Sequence, residues 1–104
     1  MTTQGFLGLL SPESAIITDK GQTVTIAASL YGDDGQSPAT WYTKWFNAGT
    51  GTEFVAARNA RSLSINEADV TDNIIIRCDF FSDSGFTNRV ATAFASIDDT
   101  QDPE

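Results

Sequence analysis

The sequence predicts an all-β fold, two sheets pressed together as a sandwich of seven to eight antiparallel strands. Three observations carry that expectation. Apolar and polar residues alternate with period two along most of the chain, clusters of Gly, Asp, Asn, Ser and Pro interrupt it at regular intervals, and no segment keeps a helical repeat of apolar residues. With 104 residues there is room for one core and not for two.

Taken in order, Ser14-Ala15-Ile16-Ile17-Thr18 reads as a short strand closed by the turn Asp19-Lys20-Gly21. Gln22 to Leu30 puts Val24, Ile26, Ala28 and Leu30 on one face and Thr23, Thr25, Ala27 and Ser29 on the other, a half-buried strand. Gly32 to Pro38 is turn-forming throughout. Thr40 to Phe46 is an aromatic strand, with Trp41, Thr43 and Trp45 sharing a face. After the loop Asn47–Gly51, Thr52 to Ala57 reads as a short strand and Ser62 to Ile65 as another, with Leu63 and Ile65 inward. Asn66 to Asp72 suits one helical turn, because Asn66 is a fair N-cap and Glu67 and Asp69 favour a helix start. Asn73 to Phe81 is the strongest strand, with Ile74, Ile76, Cys78 and Phe80 on one side. Ser82 to Asn88 turns the chain into a last strand, Arg89 to Ile97, whose inward face is either Val90/Phe94 or Ala91/Ala93/Ala95/Ile97.

The expected organisation is an apolar N-terminal arm, or the start of the first strand, over 1–11, a folded domain over 12–97, and an acidic tail or linker over 98–104. Phe6, Leu7, Leu9 and Leu10 are the notable part. They either begin the first strand and pack on this domain or dock on a partner, since each large apolar side chain gains roughly 1.5–3 kcal/mol on burial.

Charge and composition narrow the chemistry. Six basic residues against 14 acidic leave a net charge of −8, which argues against nucleic acid as a partner and against anionic membranes. The absence of histidine removes the usual general base and a common metal ligand. A single cysteine, Cys78, allows no internal disulfide, and no histidine exists to activate it as a nucleophile. No signal peptide is expected, because Met1 to Gln4 carries no positive side chain and the run from Phe6 to Leu10 is short. No apolar stretch approaches the ~20 residues of a membrane-spanning helix. Asp33, Asp34 and Asp83 are weak calcium candidates without regular ligand spacing, and loop solvation is their ordinary explanation. The neighbouring acids Asp33-Asp34 and Asp98-Asp99 give no sign of a catalytic pair. No catalytic residue, cofactor or metal is expected.

"GQTVTIAAS" (21–29), "YTKWFNAGTG" (42–51) and "SLSINEADVTDNIIIRCDF" (62–80) follow one another as strand, tryptophan strand, acidic corner and cysteine strand. Over about Pro12 to Ile97 this order resembles the immunoglobulin-like domain family. The resemblance identifies Trp45 as the core tryptophan, Cys78 as the second cysteine position and Asp72 as the corner aspartate. Ala28 stands at the first cysteine position and Ile76 at the corner tyrosine, so the implied sandwich lacks the inter-sheet disulfide. Its core would be Trp45, Cys78, Val24, Ile26, Ala28, Leu63, Ile65, Ile74, Ile76 and Phe80.

A bridge-free, acidic domain of this kind is similar to modules carried on tailed-bacteriophage virions, and the ending Ser96 to Pro103 resembles their acidic, proline-terminated linkers. The resemblance implies a non-enzymatic structural and interaction protein, a capsid decoration or tail-associated module. It would be made in the bacterial cytoplasm and displayed on the virion surface. Its partners would be capsid or tail subunits, with self-association through the particle, and its contacts would come from Phe6, Leu7, Leu9, Leu10, Tyr31 and Phe86. The alternative is an adhesion or carbohydrate-binding module whose loop aromatics, Tyr31 and Phe86, hold host surface glycans.

Overall fold

A computed structural model describes residues 6–32, 34–70 and 72–100. Eight strands form two sheets: β1 (Phe6–Ser11), β2 (Ser14–Ile17), β3 (Thr23–Gly32), β4 (Tyr42–Asn47), β5 (Thr52–Glu53), β6 (Ser62–Asn66), β7 (Asn73–Phe81) and β8 (Arg89–Asp99). The order is β1-β3-β6 in the three-stranded sheet and β2-β8-β7-β4-β5 in the five-stranded one. Among the described residues, helix is limited to two three-residue 3-10 turns, and none is long and apolar enough to cross a membrane.

The inner faces of both sheets meet in one core. Val24, Ile26, Ala28 and Leu30 of β3 and Leu63 and Ile65 of β6 face Trp45, Ile74, Ile76, Cys78 and Phe80 of the other sheet, all buried. Trp45 and Cys78 lie directly opposite each other on β4 and β7. Register decides the face of β8: Ala91, Ala93, Ala95 and Ile97 pair with Phe80, Cys78, Ile76 and Ile74, so the small residues turn inward beside the large ones. Phe94 therefore points out, 56% exposed.

Three expectations need correction. The strands are not uniformly antiparallel, because β2 runs parallel to β8. The chain leaves the first sheet after Ser11 and joins the second at Ser14, so it reaches β8 travelling in the same direction. The strand expected over Thr52 to Ala57 ends at Glu53, and Val55–Ala57 is a 3-10 turn. That turn carries the chain across the sheet end and brings the Ala60 carbonyl over the core, where it accepts hydrogen bonds from Trp45 Nε1 (3.0 Å) and Thr43 Oγ1 (2.7 Å). Two buried donors are satisfied there, which a straight strand would leave unpaired. The helical turn expected over Asn66 to Asp72 is shorter, Glu67–Asp69, with Asn66 as its cap: Asn66 Oδ1 accepts from Ala68 N at 3.0 Å.

The run expected as an arm or as the start of the first strand is β1 over residues 6–11, hydrogen-bonded along β3 from Phe6↔Gly32 to Ser11↔Ala27. Of the expected tail, Asp98 and Asp99 continue β8, while 101–104 lie outside the described residues, as do 1–5.

Candidate protein-docking surfaces

Alternation splits the N-terminal run in two. Leu10 is buried and Phe6 packs against the core, so both serve this domain. Leu7 and Leu9 point the other way and stay 57% and 38% exposed. Leu7 stands directly opposite Tyr31 on β3, itself exposed, and Leu9 opposite Ser29. The outer face of the three-stranded sheet is thus apolar beside β1 and polar beside β6. On the polar side the Thr25 and Ser64 hydroxyls bond across the strands (2.9 Å), and Asn66 Nδ2 donates to Thr23 Oγ1 (3.1 Å).

The outer face of the five-stranded sheet mixes aromatic rings with cations. Asp79 on β7 is buried there, accepting a hydrogen bond from Thr92 Oγ1 (3.0 Å). Arg77 Nε lies 3.3 Å from one of its oxygens and Arg89 Nη1 3.8 Å from the other. The Arg77 contact is an ion pair without hydrogen-bond alignment, which leaves that buried Nε without a hydrogen-bond partner. The Arg77 guanidinium covers the Phe46 ring at 4.3 Å, and Lys44 Nζ sits 4.7 Å from the centre of Phe86. Two of the chain's six cations, Arg77 and Arg89, therefore flank one carboxylate on this face, and a third, Lys44, stands across from it on β4. Further along it, Phe94, Ile75 (40% exposed) and Ile16 (58% exposed) form an apolar stripe. A shallow hollow of about 210 Å³, lined by Glu13, Ile75, Phe94, Ala95 and Ser96, lies in it. That is smaller than the ~300–1,000 Å³ of small-molecule sites.

Tyr31 and Phe86, the loop aromatics expected to hold a glycan, diverge. Tyr31 follows the buried Leu30 and so faces out from the three-stranded sheet. Phe86 folds edge-on against Phe81 (5.3 Å between ring centres) on the outer face of the other sheet, beneath Lys44. The stripe of Phe94, Ile75 and Ile16 was not among the expected contact residues. Its signal was present in the row of alanines on β8, which fit only beneath larger neighbours and force Phe94 outward.

The calcium candidates do not come together. Asp33 lies outside the described residues, and Asp34 accepts from Gln36 N (3.0 Å) within its own turn. Asp83 closes the β7–β8 turn, accepting from Thr87 Oγ1 (2.6 Å), Thr87 N (3.0 Å) and Asn88 N (2.9 Å). Among the described residues no group of three or more His, Cys, Asp or Glu side chains is placed to hold a metal ion. Cys78 is fully buried, and desolvation, with Asp79 nearby, raises its thiol above the ordinary range, which disfavours the thiolate that attack needs.

The Thr87 hydroxyl, with the Asn88 and Thr87 amides, holds the Asp83 carboxyl below the usual carboxylate range. Its folded pKa thus lies below its unfolded one. The stabilisation it gives is complete above about pH 4 and is lost as pH falls through the folded value. Asp83→Ala is expected to lower the thermal midpoint at neutral pH and to remove that part of the acid dependence. A titration of midpoint against pH checks this, and curves parallel to wild type down to acid pH would refute it.

Comparison with protein families, with curated proteins and with solved structures finds no match.

Proposed function

We propose that the chain is an immunoglobulin-like interaction module, an accessory protein of a tailed-phage particle that attaches through the apolar side of its three-stranded sheet. The observation that carries attachment is the outward trio Leu7, Leu9 and Tyr31, held on an edge strand and its neighbour rather than scattered. Two leucines on a rigid strand dock with little loss of conformational freedom, so most of their transfer free energy is available to binding.

The immunoglobulin-like reading draws on the strand order β1-β3-β6 and β2-β8-β7-β4-β5 and on a first segment shared between the sheets. It draws also on Trp45 beside Cys78, with Ala28 in the facing sheet. The particle is the reading favoured by the sequence resemblance and by an acidic chain suited to repelling packaged DNA. The glycan-binding alternative draws less support, because Tyr31 and Phe86 open onto opposite outer faces and so do not make one sugar platform.

Antibody against the purified chain, applied to gradient-purified virions from the culture that produces it, tests the reading. The wild-type chain is expected to sediment with particles, and Leu7→Glu/Leu9→Glu, folded as judged by circular dichroism, to remain in the supernatant. Absence of the wild-type chain from every particle fraction overturns the proposal.

A further inference from the structure

The outer face of the five-stranded sheet is polarised along its strands. The register sets Arg89, Phe94 and Asp98 of β8 opposite Phe81, Arg77 and Asn73 of β7. The irregularity between Phe80 and Phe81 makes these intervals equal, so Phe94 stands four β7 residues, roughly 13 Å, from the cation at one end and from the acid at the other. Arg89 is the most solvent-exposed of the cations around Asp79, with 60% of its side chain free. Asp98 is exposed and stands opposite Ile16 at the far end. Between the two ends lie Phe94 and Ile75, exposed and flanking the shallow hollow.

The exposed charge of this face is positive at one end and negative at the other, with Phe94 and Ile75 between them and the half-buried Arg77, opposite Phe94, held against Phe46 and Asp79. Such a face is complementary to itself after one particular rotation. We infer that two copies of this chain pair through this face. The two-fold axis lies in the interface, crosses the strands and passes by Phe94. That rotation reverses the strand direction, so Arg89 of each copy meets Asp98 of the other and the two Phe94 rings meet at the centre. An axis running along the strands would instead set Arg89 against Arg89 and Asp98 against Asp98, the exposed charges at the two ends. Charge layout therefore selects both the occupant and its orientation. The pairing goes beyond attachment to a particle and uses the opposite outer face.

The contact is small. Nine residues of β7 and four neighbouring strands span a face of roughly 500 Å². Two copies thus bury on the order of 1,000 Å², at the lower limit of a specific interface. Sedimentation of the full chain alone is expected to show a salt-sensitive dimer with a dissociation constant on the order of micromolar. Arg89→Glu and Asp98→Arg should each weaken it at least about tenfold, because each self-pair then opposes like charges. An equimolar mixture of the two variants should recover the dimer. In the mixed pair the introduced glutamate of one copy faces the introduced arginine of the other, and the untouched Asp98 and Arg89 face each other at the opposite end. Phe94→Arg, which alters only an exposed side chain, should be monomeric with an unchanged thermal midpoint. A wild-type chain monomeric at high micromolar concentration overturns the inference. So does a mixture no better than either variant alone, or a Phe94→Arg chain that still dimerises. No particle enters the assay, so its failure leaves the attachment proposal standing.

Discussion

Trp45→Ala should remove a large part of the protein's folding stability. The indole is fully buried at the centre of β4, opposite Cys78, and its Nε1 donates to the Ala60 carbonyl at 3.0 Å. Truncating a buried tryptophan costs about 3–5 kcal/mol through lost transfer energy and the cavity left behind. Domains of this size have only about 5–15 kcal/mol in total, and neither a disulfide nor, among the described residues, a metal cluster limits the damage. The lost hydrogen bond adds less, because Ala60 O keeps its bond from Thr43. Urea unfolding followed by circular dichroism measures the effect, and a loss below about 1 kcal/mol would show that the core does not centre on this ring.

Gly8→Ala is expected to destabilise, against what local propensity alone predicts. In a strand, replacing glycine with alanine ordinarily stabilises by about 0.5–1 kcal/mol, because the unfolded chain loses freedom. At Gly8 an added Cβ would lie 2.5 Å from Phe80 Cε1 and 2.7 Å from Cδ1. The Phe80 ring is itself fully buried and tilted against Trp41 at 5.5 Å between ring centres, so it has nowhere to retreat. Overpacking of this kind costs about 1–3 kcal/mol, and the sign of the net effect is the test. Gly8→Val should be worse, and a Gly8→Ala chain more stable than wild type would contradict the packing of β1 on β7.

This glycine also shows where the sequence could be read and where it could not. The interruption of the apolar run suggests an arm with freedom to move, because a missing side chain looks like flexibility when its neighbour in space is unknown. The ring that requires the gap lies 72 positions downstream, and no local pattern connects Gly8 to Phe80. Period-two alternation works well where one face is apolar and the other polar, so β3, β6 and β7 and the burial of Trp45 were legible. It is silent where both faces carry apolar residues, as on β1 and β8, and there the docking surfaces lie. Leu7, Leu9 and Tyr31 were within reach because they are large and clustered in sequence or at a strand end. The stripe of Phe94, Ile75 and Ile16 draws on three strands and becomes a surface only once register is known. The same holds for Arg77 and Arg89, which sequence spacing leaves as scattered charges and the sheet gathers around Asp79.

The parallel pairing of β2 with β8 has a mechanical consequence. Pulling the chain from its two sides drags β2 backward and β8 forward along their common direction. The ladder from Ser14↔Ser96 to Ile17↔Asp99 is then loaded in shear, with its bonds sharing the strain, whereas an antiparallel hairpin peels open one bond at a time. Before the sheets can separate under tension, this whole short ladder must give way at once.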